Sequence, residues 1–453
     1  MKFSTSLFVG VLALLFAGTA VAGSPDSSPG RTHTSIKRLS EERLAALHAD
    51  INALKAKRVD VKLQSGLNDY RGILHAHAED ASHTGGTRPE MLEGAKMAGV
   101  DVVMLTDHYR PPKDFITDTW RGMHDGVLFI PGSESNGYLI YPENSVVEHM
   151  DKSGKEFVDI ITEGQGLIFL SHLESKSKYS LEGLTGIEVY NRHYDAMDDM
   201  MILGIFMQAA TDKKELDKFQ GLLAKYPDEI FASQEDYPSL YVERWNEATA
   251  EMRVVGVNAS DCHHNQVIVT RMVDENTVLI GTIVDPDDGM RTLTAAQRPG
   301  IPELNKGHKP GDQVVAIDID PYHVAMRNAS THILAPELTE KAMRDALEAG
   351  HAYIGRDYLC DTKGFVYLAK QGDDQVGIMG DIVSLKDGLQ LVAEMPLEAM
   401  VKLYKDGALV NEATTREYSF TPDGPGVYRF EAWLPADDEE RVWIMANPIY
   451  VTE

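Results

Sequence analysis

The sequence predicts an α/β fold built on a parallel sheet, open or closed into a barrel, followed by a small all-β region. From Asp69 onward, short apolar segments alternate with helical segments, which is the pattern of β–α units. After about Leu359 the pattern changes to short alternating segments separated by turn signals, as at 405–407 and 422–424. This second pattern is typical of an antiparallel β-sandwich.

The first 22 residues have the features of a cleaved signal peptide. Lys2 provides a positive charge, residues 7–17 are an apolar run, and residues 20–22 are small, as at a cleavage site. The apolar run is too short to span a bilayer, which needs about 20 residues. We therefore expect a periplasmic or secreted protein.

Chain length and changes of pattern predict four segments. The 453 residues exceed the roughly 250–300 that one core usually holds, so two domains are expected. We assign 1–22 to the signal peptide, 23–68 to a leader and an N-terminal helix capped by Ser40, 69–358 to the barrel, and 359–453 to the sandwich. Within the barrel, residues 284–330 lack periodicity and are expected to form a loop excursion.

The elements of the barrel follow from local signals. A capping box at Thr87 and a stop at Gly99 predict the first barrel helix, and Gly350 ends the last one. A further helix is expected over 241–251. Strands are expected at 72–76, 100–106, 127–130, 167–170, 187–190 and 253–257, with a closing strand at 351–354.

The net charge and the cysteine content of the chain limit its possible partners and the way its fold is stabilised. The formal net charge of −27 argues against nucleic acid and anionic membranes, which favour basic proteins. Cys262 and Cys360 are the two cysteines, so the fold cannot rest on a disulfide framework. The oligomeric state is left open.

Residues with metal-ligand chemistry follow the predicted strands. In a His-x-His pair on a strand both imidazoles project to one side, and the carboxyl ends of barrel strands meet at one face. Imidazoles together with carboxylates suit Zn, Mn or Fe. The residues in question are His75, His77, His83, Asp107, His108, Glu134, His172, His193, Asp261 and His263.

In these motifs the sequence resembles the polymerase-and-histidinol-phosphatase (PHP) superfamily. The resemblance implies a distorted seven-stranded (β/α) TIM-like barrel with a trinuclear metal centre, followed here by a small all-β immunoglobulin-like sandwich. The matching segments are 74–77, 105–108, 131–134, 171–172, 188–191 and 261–263.

By position, the resemblance implies three metal sites. His75, His77, Glu134 and Asp261 would hold one ion. Glu134 would bridge to a second ion bound by His172 and His193. His83, His108 and His263 would hold a third.

We also assign expected roles to residues near these ligands. Asp107 is expected to orient a ligand histidine rather than to bind metal itself. Arg192 is our first choice for contacting phosphate, ahead of Arg110 and Lys113. Cys262 is expected to pack rather than to bind metal.

The expected function is hydrolysis of a small-molecule phosphate ester by a metal-activated water, with two or three divalent ions, Zn, Mn or Fe. Two alternatives remain. One is a metal-dependent amidohydrolase-type hydrolase, and the other is an exported binding protein whose metals are structural. The sequence identifies neither the substrate nor the metal.

Overall fold

The computed structural model describes residues 28–192, 194–195 and 202–453. The predicted signal peptide and His193 lie outside these ranges. Within them the chain is a mixed α/β protein whose strands form sheets of fourteen, five and four strands. None of the helices in the described ranges combines the length and apolarity that crossing a membrane requires.

Two groups of parallel strands carry most of the residues that the sequence singles out. The strands of this part of the chain are β1 Asn68–Ile73, β2 Val102–Met104, β3 Gly122–His124, β4 Val127–Ile130, β5 Ser133–Ser135, β6 Tyr138–Tyr141, β7 Leu167–Leu170, β8 Gly186–Asn191 and β9 Val255–Ala259. Strands β1, β2 and β4 pair in parallel, and so do β7, β8 and β9. Strand β6 runs antiparallel to β5 and β7, so the sheets are mixed.

One apolar core lies between the two groups of strands. Leu74, Met104 and Ile130 from the first group pack with Phe169 and Val257 from the second, and all five are fully buried. Burying both groups in a common core holds their carboxyl ends on the same side of the molecule. The closed seven-stranded barrel stays a prediction.

Two helices begin or end at the signals predicted from the sequence. Thr87 and Glu90 form the capping box, and Gly99 and Gly350 end their helices in the left-handed conformation, at φ 68° and 72°. The helices are α1 Ser35–Arg38, α2 Glu41–Lys57, α3 Arg88–Ala98, α4 Gly154–Glu163, α5 Leu173–Lys176, α6 Leu203–Ala209, α7 Lys213–Lys225, α8 Pro227–Phe231, α9 Ser239–Glu251, α10 Ile301–Asn305, α11 Tyr322–Asn328 and α12 Glu340–Ala349.

The segment predicted as a loop excursion over 284–330 is corrected by the structure. It contains α10, α11 and two strands of a four-stranded antiparallel sheet. That sheet comprises β10 Val267–Asp274, β11 Thr277–Thr282, β12 Arg291–Thr294 and β13 Gln313–Asp318. Leu293, Val315 and Ile317 pack with α6 and α7 in one buried cluster. The alternation was missed because each strand is short and Pro and Gly residues separate them.

The remaining strands join the C-terminal region to the rest of the molecule. They are β14 Ser330–Ala335, β15 Ala352–Gly355, β16 Val366–Gln371, β17 Asp374–Ile378, β18 Ile382–Ser384, β19 Leu389–Lys405, β20 Ala408–Phe420, β21 Gly426–Ala436, β22 Glu439–Ala446 and β23 Ile449–Thr452. Strand β14, which was not predicted, runs antiparallel to β1, and β15 pairs with β22 at Tyr353 and Ala446. The C-terminal strands therefore continue a sheet that begins in the first half of the chain. Their assignment as an immunoglobulin-like sandwich stays a prediction.

Candidate metal centre

A main-chain bridge brings the ends of β1 and β9 together. Ala76 and Cys262 form an isolated parallel bridge. The N–H of His77 donates to the carbonyl of Cys262 at 3.0 Å, and the N–H of Cys262 donates to the carbonyl of His75 at 3.3 Å. Because side chains alternate along an extended chain, this pairing places His75 and His77 opposite Asp261 and His263, the two residues that flank Cys262.

The Asp261 carboxylate lies among three imidazoles. Its Oδ1 is 3.1 Å from Nε2 of His75 and 3.7 Å from Nε2 of His77. The same oxygen is 3.3 Å from Nδ1 of His263, and the rings of His77 and His263 stack with centroids 4.0 Å apart. One carboxylate oxygen is thus shared by ring nitrogens from two different strand ends.

Glu134, which lies on β5, occupies the middle of the cluster. Its Oε1 is 3.2 Å from Nε2 of His172. Its Oε2 faces the other side, where the Nε2 atoms of His108, His75 and His77 lie at 3.3, 3.6 and 3.8 Å. The two oxygens therefore face different histidines, as in a carboxylate that bridges two ions.

The third predicted group of ligands is more open. The ring of His83 lies 4.8 Å from that of His108 and 5.2 Å from that of His263, measured between centroids. Ligand atoms of His77, His108 and His263 lie within 4.8 Å of one another, a spacing at which one ion can contact all three. His83 lies at the edge of this group.

Several buried atoms of the cluster lack hydrogen-bond partners. Among the described residues, Nε2 of His75, Oδ1 of Asp261 and Nε2 of His263 make no hydrogen bond. Buried polar atoms are nearly always satisfied, because leaving one unpaired costs about 1–3 kcal/mol. A divalent cation would satisfy all three atoms, so this donor set fits a metal.

In four of the imidazoles, Nδ1 is held by a carboxylate to which the sequence analysis gave no role. Glu188 accepts from Nδ1 of His75 at 2.7 Å, and Glu174 accepts from Nδ1 of His172 at 3.1 Å. Asp80 accepts from Nδ1 of both His77 and His108, at 3.1 and 2.8 Å. With each Nδ1 engaged in this way, Nε2 is left to face the centre, as in known carboxylate–histidine–metal arrangements.

Burial and neighbouring charges set the protonation of the imidazoles. Burial lowers the pKa of His75, but the Asp261 and Glu188 carboxylates outweigh it and raise that pKa to about 10. For His77, burial and the positive charge of His263 lower the pKa to about 3. Burial raises the pKa of Glu134, but the neighbouring imidazoles of His108, His172 and His75 outweigh it and hold that pKa well below its usual value. Without a bound ion, His75 is therefore protonated and His77 is neutral beside the ionised Glu134, and ligation through Nε2 of His75 would release its proton.

Asp107 has a different set of partners from the one expected. Its carboxylate accepts a hydrogen bond from the Arg88 guanidinium and one from the main-chain N–H of Ala78, at 3.3 Å. Burial raises the pKa of Asp107 to about 6. Within the described ranges, the carboxylate that orients His77 and His108 is that of Asp80.

Arg192 lies at the end of β8 and lines a cavity of about 220 Å³ together with Glu134, His172 and Asp261. Its Nη2 donates to the carbonyl of Phe231 at 3.2 Å and to Oε1 of Gln234 at 2.9 Å. Among the described residues, its Nε and Nη1 have no hydrogen-bond partner although both are buried. A buried cation with two free donors beside the centre can bind an anion.

The other residues predicted to lie near the ligands are less suited to binding an anion. Arg110 and Lys113 are exposed, in contrast to the buried Arg192. Cys262 and Cys360 are both buried and form no disulfide with each other. Burial raises the pKa of the Cys262 thiol, which keeps it in the neutral form rather than the metal-binding thiolate.

Together, the fold and the site define a mixed α/β protein with a buried cluster of histidines and carboxylates that can hold metal ions. No family model and no curated protein matches the chain. Among solved structures it is similar to a two-domain protein from Bacteroides vulgatus described as containing a predicted PHP-like metal-dependent phosphoesterase. That similarity has 13% sequence identity and a TM-score of 0.33, and it covers 86% of this chain and 98% of the other.

Proposed function

We propose that the protein is a metal-dependent phosphoesterase that hydrolyses a small phosphate ester at a centre of two or three divalent ions, Zn, Mn or Fe. The observation that carries the proposal is the position of Glu134. Its two oxygens face separate groups of imidazoles, with His172 on one side and His75, His77 and His108 on the other. A carboxylate so placed suits a centre with more than one ion.

These distances support the ligand sets that we propose for the first two ions. His75, His77 and Asp261 with Glu134 would hold the first ion, and Glu134 with His172 would hold the second. His83, His108 and His263 would hold the third. When bound, such ions lower the pKa of a coordinated water and offset the negative charge of a phosphoryl group.

Arg192 supports a phosphate ester over a neutral substrate. The formal net charge of −27 disfavours the approach of an anion, so a phosphate needs local positive charge. Arg192 supplies it, because it lines the same cavity as Glu134 and Asp261, and its buried Nε and Nη1 have no hydrogen-bond partner among the described residues. A guanidinium binds two phosphate oxygens at once, which would hold the ester in one orientation.

The test combines elemental analysis with a substrate panel. Purified wild-type protein should contain two or three equivalents of a divalent metal and should hydrolyse p-nitrophenyl phosphate or its diester. His75→Ala should lose metal and activity together. His149→Ala is the matched control, because His149 is partly exposed and lies outside the cluster, and it should retain both.

Each alternative predicts a different result in this test. Hydrolysis of amides or lactones without any phosphoester would indicate an amidohydrolase-type enzyme. Bound metal without hydrolysis of anything on the panel would indicate a binding protein. Full activity in His75→Ala would remove this cluster from the reaction altogether.

A further inference from the structure

A second, larger cavity lies next to the metal centre. It has a volume of about 510 Å³, and its apolar lining includes Phe206, Met207, Ile268, Ile280 and Met290. One wall is α6 and the opposite wall is the antiparallel sheet of β10 and β11. Cavities of about 300–1,000 Å³ with mainly apolar walls are the usual form of small-molecule sites, whereas packed interiors leave few voids larger than a water.

The two cavities share a wall. Gln266 lines both of them, and Gln234, which lines the apolar cavity, accepts the hydrogen bond from Arg192 in the metal cavity. The distance is short along the chain as well. Gln266 follows His263 by three residues, so their Cα atoms are at most about 11 Å apart.

Size distinguishes the two cavities. At about 220 Å³ the metal cavity is smaller than a typical small-molecule site, so it has room for a phosphate group and little more. The rest of an ester substrate must lie outside it. The apolar cavity is more than twice as large and is the adjoining space.

Charge indicates which part of a substrate the apolar cavity accepts. Asp285 and Asp288 are among its lining residues, and Asp285 already accepts hydrogen bonds from the N–H and hydroxyl of Thr282. Arg291 also lines the cavity, so its charged lining comprises two carboxylates and one guanidinium, and this net negative charge disfavours a second anionic group. The apolar walls favour a neutral aromatic or aliphatic group, which gains about 25 cal/mol for each Å² of apolar surface buried.

We infer that the 510 Å³ cavity binds the apolar alcohol portion of a phosphate ester whose phosphate lies beside Arg192. The substrate class is then a phosphate ester of an aromatic or aliphatic alcohol, rather than a sugar phosphate. This inference rests on the proposed phosphoesterase function.

The experiment compares kcat/KM for 1-naphthyl phosphate and glycerol 3-phosphate. Wild-type protein should prefer 1-naphthyl phosphate by at least tenfold. Leu203→Trp places a large ring into the cavity from α6 and should lower kcat/KM for 1-naphthyl phosphate at least fivefold, while glycerol 3-phosphate changes less than twofold. Ile205→Trp is the matched control, because Ile205 lies on the same helix and packs on the same cluster without lining the cavity.

The possible results separate the two proposals. Equal kcat/KM values for the two substrates, or an equal effect of Leu203→Trp on both values, would overturn the cavity assignment. Either result would leave the proposed phosphoesterase function unaffected. If no phosphoester is hydrolysed, titration with 1-naphthol still decides the cavity, since wild type should bind it and Leu203→Trp should not. If Leu203→Trp fails to fold, Ile268→Trp fills the same space from β10 and replaces it in each comparison.

Discussion

The Asp80 carboxylate holds His108 by two hydrogen bonds to the same oxygen. Oδ2 accepts from the main-chain N–H and from Nδ1 of His108, both at 2.8 Å, and it also accepts from Nδ1 of His77 at 3.1 Å. A hydrogen bond from Thr84 holds the other oxygen at 2.6 Å. One carboxylate thus fixes two candidate ligands that come from different strands.

We therefore expect Asp80→Asn to weaken metal binding about 10- to 100-fold, the usual effect of losing such an orienting partner. The asparagine keeps the shape of the side chain but cannot accept from both imidazoles through one charged oxygen. Calorimetric titration with Zn or Mn would measure the change. Glu79→Gln is the control, because Glu79 is adjacent and exposed, and unchanged affinity in Asp80→Asn would contradict an orienting role.

Arg192→Met should raise the KM for a phosphomonoester about 10- to 100-fold, because a hydrogen bond to a charged group contributes about 1.5–3 kcal/mol. Methionine retains part of the packing on Phe231, over whose ring the guanidinium carbon lies at 4.5 Å. Arg192→Lys should recover part of the loss, since it keeps the charge without the paired donors. An unchanged KM in a folded Arg192→Met protein would exclude Arg192 from phosphate binding.

The features of the fold that were predictable are those with local signals. The capping box at Thr87 and the polar residues after buried strands are patterns of residues that are close together in the sequence. The cluster around His75 and Glu134 could therefore be predicted from the sequence. The carboxylate of Asp80 gave only a weak signal. It stands three residues after His77, and nothing in the sequence shows that it also reaches His108.

The features that were missed depend on distant pairings. Strand β14 joins β1 through partners such as Tyr70 and Ile333, and no local pattern encodes that register. The same holds for Tyr353 and Ala446, which make the C-terminal strands part of the main sheet. Such contacts become visible only when the whole core is assembled, because side-chain packing rather than propensity selects the partner.

Gly132 lies where β4 turns toward Glu134, and a side chain there has no room. A Cβ at Gly132 would come within 2.4 Å of Cδ1 of Tyr141, 2.5 Å of the Ile140 carbonyl oxygen and 2.8 Å of the Leu105 carbonyl oxygen. Two of these contacts are with main chain that is fixed in the core. Gly132→Ala should therefore lower the free energy of unfolding by about 1–3 kcal/mol and reduce metal content by moving Glu134.

Urea unfolding and elemental analysis would test both effects of Gly132→Ala. Gly221→Ala is the control substitution, because Gly221 is inside α7 and a Cβ there meets no atom within 4 Å. It should stabilise the protein by about 0.5–1 kcal/mol through the better helix propensity of alanine. A Gly132→Ala protein as stable as wild type would show that the strand can shift at little cost.

His332 forms a buried ion-pair network away from the metal centre. Its Nδ1 lies 2.7 Å from Asp69 on β1, and its Nε2 lies 3.1 Å from Asp357. Burial lowers the pKa of His332, but the two carboxylates outweigh it and raise that pKa from 6.5 to about 9. A shift of this size corresponds to about 3 kcal/mol of stability in the charged form.

The sign of the pH dependence follows from the raised pKa. The stabilising contribution is fully present below about pH 6.5, where the unfolded histidine is also charged, and it is lost as the pH rises through 9. The difference in unfolding free energy between wild type and His332→Gln should therefore shrink by about 3 kcal/mol between pH 6.5 and 10. Urea unfolding across this range would measure the difference, and a constant difference for His332→Gln would mean that His332 is neutral in the folded protein.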